Sequence, residues 1–166
     1  MAILRTVPAT AVQSATAVLF AHGELRLLAT RAFGAGEVID RLQGEVCGIR
    51  TRQSVEIAWG QHLCAPEGCS FEELMARYWW RFLNHSCRPN TVVRGRDFVA
   101  AAPIEAYEEL CFDYETTEWE IAEPFTCRCI GCDERQIRGF RHLGSDERDA
   151  RVSVLAPHLL ERLAWE

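Results

Sequence analysis

Three short stretches gather the residue types that can do chemistry: Arg81-Phe82-Leu83-Asn84-His85-Ser86-Cys87-Arg88-Pro89-Asn90, Glu109-Leu110-Cys111-Phe112-Asp113-Tyr114, and Cys127-Arg128-Cys129-Ile130-Gly131-Cys132. The third offers three thiols within residues 127–132, a density that suits a metal. Tetrahedral zinc takes four ligands, so a fourth has to come from another part of the chain. A redox pair at Cys129 and Cys132, or a disulfide, is the other use of such spacing. Thioredoxin-type redox chemistry expects a strand, a helix and a strand around it, and the flanking sequence lacks them. In the first stretch Cys87 follows His85 by two residues, and in extended backbone such residues share a face. A Cys-His nucleophile is therefore open, although no orienting carboxylate is indicated locally. His62, Cys64 and Cys69 bring together three donors without a clear fourth, and Cys47 and Cys111 read as buried thiols.

These residues need elements to position them. Ser70 can cap a helix while Glu73 reaches back to close a capping box, and the helix would run to about Trp80, delivering the chain straight into Asn84 and His85. Upstream, short β-like runs dominate: Ala17 to Phe20, Leu25 to Ala29, Glu37 to Leu42, and the alternating Val55-Ile57-Trp59, punctuated by Gly23, Gly34, Gly36 and Gly44. Thr91-Val92-Val93 and Phe98-Val99-Ala100 flank Gly95 and read as a hairpin. The tail from about Asp146 to Trp165 is helical in pattern, with Leu155, Leu159, Leu160 and Leu163 on one face and Pro157 starting its second piece. The apolar stretch Ala9 to Ala21 is interrupted by Gln13, Ser14 and Thr16 and reads as a strand-forming arm rather than a signal peptide.

With 166 residues, 48% of them apolar, the chain has the material for one core and one domain. A formal charge of -6 argues against non-specific nucleic-acid binding and suits a basic partner. All of the Lys and Arg positions are arginine, so the chain offers no lysine of its own for modification. Secreted disulfide scaffolds are usually shorter and less apolar, with cysteines spread along the chain, whereas three of the eight cysteines here crowd into residues 127–132, which favours a metal. No run approaches the ~20 apolar residues of a membrane span. The expected setting is the cytoplasm, with the nucleus or export as an effector as alternatives.

In this order the three blocks resemble a SET domain followed by its post-SET zinc segment, a family that transfers methyl groups from S-adenosylmethionine, usually to a protein lysine. The resemblance implies a mostly β fold with short helices, the SET β-clip with its C-terminal pseudoknot, arranged as a SET core over residues 1–122, a post-SET segment over 123–143 and a helical tail over 144–166. It implies cofactor contacts at Leu25, Arg26, Leu27, Leu28, Arg81, Asn84, His85, Tyr114 and Phe125, and a catalytic Tyr114. Zinc would sit on Cys87, Cys127, Cys129 and Cys132. A substrate channel would be walled by Trp59, Trp80 and Phe112, and a phenylalanine at 112 implies room for more than one methyl. The implied partner is a basic protein or peptide bearing a lysine. A small-molecule amine and a binding module without catalysis are the other readings.

The match is looser in two places. The family's GxG turn has Glu24 and Arg26 where glycines stand, with Gly23 displaced by one residue, so the cofactor pocket should be narrowed or reshaped. The spacing CxCxxC is two residues shorter than the usual CxCxxxxC, while Ile137-Arg138-Gly139-Phe140 resembles the family's sequence just beyond its third cysteine. The implied chemistry sets one physical demand. A lysine amine of pKa ~10.4 is neutral only about once in 10³ molecules near pH 7.4, a handicap of roughly 4 kcal/mol. An apolar channel would reduce that handicap by lowering the amine's pKa.

Overall fold

The structure, a computed structural model, describes residues 14–21, 23–130 and 132–165. The expected arm from Ala9 begins outside them. Its described part is β1 (Thr16–Ala21), which pairs antiparallel with β2 (Glu24–Ala29) in a register running from Ala21 opposite Glu24 to Thr16 opposite Ala29. Period-two alternation places Leu27 and Ala29 wholly in the core. β3 (Val38–Arg41) follows, then β4 (Glu45–Cys47), β5 (Val55–Ala58) and β6 (Gln61–Cys64), which form a sheet in the order β4-β6-β5. A disulfide joins Cys47 to Cys64 across it, so Cys47 is not the buried thiol expected, and Cys64 is not available to a metal site with His62 and Cys69.

Helix α1 (Phe71–Arg77) carries the expected capping box: the Ser70 hydroxyl accepts from the Glu73 N–H, and the Glu73 carboxylate accepts from the Ser70 N–H. It stops short of Trp80 because the chain tightens into a 3-10 turn over Trp79–Phe82. That turn buries Trp79 and Trp80 in the main core, where the Trp80 indole N–H donates to the Gln43 carbonyl at 2.8 Å. β7 (Asn84–His85) comes next, followed by the hairpin of β8 (Thr91–Arg94) and β9 (Asp97–Ala100) around Gly95, with β3 completing a sheet in the order β3-β9-β8.

β10 (Cys111–Phe112) lies parallel to β7, with Cys111 opposite Asn84 and Phe112 opposite His85. This is the pairing the expected pseudoknot calls for, and it sets the second chemical stretch beside the first. β11 (Phe125–Thr126) and β12 (Gln136–Ile137) form a short ladder that closes the cysteine loop.

The tail consists of α2 (Ser145–Asp149) and α3 (Pro157–Leu163), with Pro157 in the first helical turn. Leu155 and Leu159 enter a second core cluster with Trp119, Phe140 and Leu143, and Leu163 packs partly against it, whereas Leu160 faces outward, 40% exposed. Gly139 is what lets the tail approach: at φ 113° its backbone lies so close to residues 119–120 that a Cβ would stand 2.5 Å from the Glu120 Cα. Among the described residues no helix is long and apolar enough to cross a membrane.

Candidate active site and thiol cluster

The parallel pairing of β7 and β10 turns two distant strings into one wall. His85 and Tyr114 meet edge to face with ring centroids 5.2 Å apart, and Phe125 closes on both, 5.7 Å from His85 and 6.0 Å from Tyr114. The Tyr114 hydroxyl donates to the Leu83 carbonyl at 2.6 Å, and its backbone N–H donates to Nδ1 of His85 at 3.3 Å. Burial pushes the phenol far above its ordinary range, so it stays protonated at any physiological pH.

The turn holding Tyr114 is anchored by its neighbours. Glu115, 1% exposed, accepts from the N–H groups of Arg138 and Gly139 and from the Arg135 guanidinium. Asp113 caps the Glu115 N–H at 3.1 Å and takes the Arg151 guanidinium at 2.8 Å. The tail and the cysteine loop are thereby tied to the residue on either side of Tyr114.

This wall faces a cavity of about 1140 Å³. Leu25, Arg26, Arg81, Asn84, His85, Tyr114 and Phe125 line it, as do Trp80 and Phe112. Leu27 instead lies in the core, and Leu28 forms a bridge to Glu109. Trp59 borders a different cavity, of about 630 Å³, where it stands edge-on to Trp119.

The Asn84 side chain is committed within the protein: its amide donates to the Leu25 carbonyl and to Glu109, both at 3.0 Å. It therefore fixes the β2 edge of the cavity. Arg26, where a glycine was expected, is drawn to the same Glu109 at 3.0 Å, while Glu24 points outward with its side chain 70% exposed. Gly23, at φ 84°, supplies the tight turn before β2, a role that the displaced glycine can fill at no steric cost. The two substitutions thus border the cavity without filling it.

Behind His85 lies the thiol cluster. The Sγ atoms of Cys87, Cys127, Cys129 and Cys132 all lie within 4.8 Å of one another, and Cys87 is 3.7 Å from Cys127. Four sulfurs at ~2.3 Å from a tetrahedral zinc stand about 3.8 Å apart, so the thiols are already spaced for that ion. Backbone N–H groups reinforce the arrangement, that of Cys87 donating to Cys129 Sγ at 3.3 Å and that of Cys129 to Cys127 Sγ at 3.4 Å. Burial raises the Cys127 thiol to about 11 and Cys87 further still. At Cys129 burial also pushes upward, but the Cys87 N–H and the neighbouring thiols bring it down to about 7. A bound cation would turn this set into thiolates, releasing their protons.

The Cys-His pairing considered from sequence exists in space, because Nε2 of His85 is 3.4 Å from Cys87 Sγ. An orienting carboxylate missed from sequence is also present: Asp113 Oδ1 is 3.7 Å from His85 Nδ1. The chemistry still runs against a nucleophile, since burial holds the Cys87 thiol protonated and holds His85 neutral down to about 4. Since Nδ1 accepts from Tyr114, Nε2 carries the ring proton and donates it to Cys87, so His85 braces the thiol cluster on one side and the Tyr114 turn on the other. Cys111 is half-buried, and burial raises its thiol to about 12. Glu56 and Glu118, buried between the two cavities, went unnoticed in the sequence, and His62, considered there only beside Cys64 and Cys69, stands with them.

Known proteins share parts of this chain. The sequence profile described as "SET domain" matches residues 24–115. A protein of Aspergillus flavus named "Methyltransferase flvH" is 30% identical over 92 residues, which is 50% of this chain and 48% of that protein, so the chain spans about half the length of this curated relative. A solved structure described as KRYPTONITE in complex with mCHG DNA and SAH overlays with a TM-score of 0.46 at 21% identity, covering 67% of this chain and 26% of that one.

Proposed function

Because this chain belongs to the SET-domain family, we propose that it transfers a methyl group from S-adenosylmethionine to an amine nitrogen, and that the amine is the side chain of a lysine in a protein substrate. The observation that carries this reading is the meeting of His85, Tyr114 and Phe125 on one wall of the 1140 Å³ cavity, with the thiol cluster directly behind His85.

S-adenosylmethionine, when bound, supplies a methyl group on a positively charged sulfur that an amine lone pair can displace. The chain's residues supply position and environment. Leu25 and Arg26 form one edge of the cofactor's space, held by Asn84 and Glu109; Phe125 and His85 offer flat faces for a ring system. Tyr114 directs its hydroxyl hydrogen to the Leu83 carbonyl, leaving the lone pairs of the phenol oxygen free to accept from and orient an incoming amine. Phe112, Leu83 and Trp80 make the surroundings apolar, which favours the neutral amine over the ammonium ion. Zinc on Cys87, Cys127, Cys129 and Cys132 would hold residues 127–132 against this wall as a structural ion.

A second reading, methylation of a small-molecule amine, is favoured by Arg52 and Arg81 in the same cavity wall, which could take a carboxylate of a small amphoteric substrate. The test is incubation with methyl-tritiated S-adenosylmethionine, one arm holding a pool of lysine-containing peptides and the other a pool of primary and secondary amines. Label in the peptides is the expected result, and label in the amine pool alone would replace the first reading with the second. Tyr114→Phe should lower transfer by about 10²-fold with cofactor affinity retained; unchanged transfer would remove Tyr114 from its role.

A further inference from the structure

An amine that reaches the cavity as an ammonium ion has to lose a proton before its nitrogen can form a bond. Tyr114 is poorly placed to take it. Its own proton is committed to the Leu83 carbonyl, and burial disfavours the phenolate in any case. The structure offers another acceptor one turn further along the chain.

Glu118 follows Tyr114 closely, with its N–H donating to the Tyr114 carbonyl at 2.9 Å. It is 7% exposed, and it lines the same cavity as Tyr114. Oε1 accepts from the Glu56 N–H at 2.7 Å, which fixes the carboxyl in place. Oε2 stands 3.9 Å from Nδ1 of His62. His62, 5% exposed on β6, leaves that Nδ1 buried and without a hydrogen-bond partner. Yet His62 borders the second cavity, of about 630 Å³, together with Arg50, Glu56, Trp59 and Trp119. Two buried ionisable groups therefore stand side by side, each opening on a different cavity.

We propose that Glu118 and His62 form a proton relay, leading from the methyl-transfer cavity to the second cavity. The inference rests on the methyl-transfer reading. In the forward step an N–H bond of the substrate ammonium breaks and its proton joins a Glu118 carboxylate oxygen, leaving the electron pair on nitrogen. That pair forms the bond to the methyl carbon, and the carbon–sulfur pair returns to sulfur. Glu118 then passes its proton to Nδ1 of His62, and the imidazolium gives up a proton from Nε2 to water in the second cavity. Glu118 is again ionised, the ring is neutral, and exchange with the same water restores the starting tautomer. Closing the 3.9 Å gap to a hydrogen bond takes a side-chain shift of less than about 1 Å.

Burial is the main influence on both groups: it raises Glu118 to about 8, which makes its carboxylate a better proton acceptor than an ordinary one, and it lowers His62, so the step to His62 is uphill and is drawn forward by the ready release of the proton to water. Glu118 is faced by Glu56 from β5, Arg50 from the preceding segment, His62 from β6, and Thr117 and Tyr114 from its own segment. His62 is faced by Glu56, Glu118 and Arg50, and by His158 from α3. The Glu56 carboxylate is occupied by the N–H groups of Gly60 and Trp119, and His158 is bonded to the Thr117 carbonyl, which leaves Glu118 and His62 as the pair that can exchange a proton.

The test uses Glu118→Gln and His62→Gln in the full chain. Glutamine at 118 keeps the oxygen that accepts from the Glu56 N–H, so the fold should persist, and melting curves verify it. The first readout needs no turnover. The imidazole signals of His62, assigned by their loss in His62→Gln, are followed by NMR from pH 5 to pH 10 in wild type and in Glu118→Gln. A two-step curve in wild type that becomes a single step in the variant is expected, and identical curves overturn the pair. The second readout is methyl transfer to the lysine-peptide and amine pools over the same pH range. Each variant should be about tenfold or more slower at pH 7.5 and should converge on wild type near pH 10, where a free amine is already largely neutral. Wild-type activity with variants that are unimpaired, or impaired equally at every pH, overturns the relay. An inactive wild type overturns the methyl-transfer reading itself.

Discussion

At the scale of single residues, the wall around Tyr114 shows how much of a site can be bought by burial. Burial, with the Glu56 charge adding to the upward push, raises the Glu118 carboxyl to about 8 against an ordinary value of 4.5. In the unfolded chain the same group ionises near the ordinary value. Folding is therefore favoured by this group below pH 4.5, and the advantage drains away as the pH rises through 8. The melting temperature of wild type should fall across that window, and Glu118→Gln should show a flatter profile over the same range; parallel profiles would contradict the burial argument. Asn84, His85, Tyr114 and the four cysteines were legible because each lies in a short string of unusual composition. Glu118 was not, and His62 drew notice only for its nearness to Cys64 and Cys69, because the partnership of the two spans β6 and the turn after Tyr114. Asp113 stood in plain view beside Tyr114, but its approach to His85 depends on the pairing of β7 with β10.

At the scale of elements, local chemistry was readable and long-range pairing was not. The Ser70–Glu73 capping box and the Gly95 hairpin both form as their residues indicate. The parallel contact of β7 and β10 is two residues long on each side, too short to leave a hydrophobic period, so only family resemblance pointed to it. The expected helix to Trp80 failed for a packing reason: the tighter 3-10 turn drives Trp79 and Trp80 into the core. Leu160 likewise lost its place on the apolar face, because the chain between α2 and α3 turns Leu155 and Leu159 inward instead. The docking of the tail hinges on Gly139, which permits both the left-handed backbone and the approach to residues 119–120. Gly139→Ala should destabilise the fold by about 2 kcal/mol or more in urea unfolding, through clash and backbone strain together. A change within the error of the measurement would show that the contact relaxes freely.

At the scale of the whole molecule, the thiol cluster and the cavity depend on one another. Cys87 follows β7, which carries Asn84 and His85, while Cys127, Cys129 and Cys132 follow β11, which carries Phe125. A cation on the four sulfurs would therefore join the two sides of the proposed cofactor space. Purified protein should hold about one zinc per chain by elemental analysis. Removing it with a chelator should lower the melting temperature and weaken cofactor binding together. Retained binding after complete removal would separate the two. The most direct measurement of the central claim is calorimetric titration of the zinc-loaded chain with S-adenosylmethionine and with S-adenosylhomocysteine. The account predicts saturable binding of both at one site, lost or greatly weakened in His85→Ala, whereas a wild-type chain that takes up neither would contradict it.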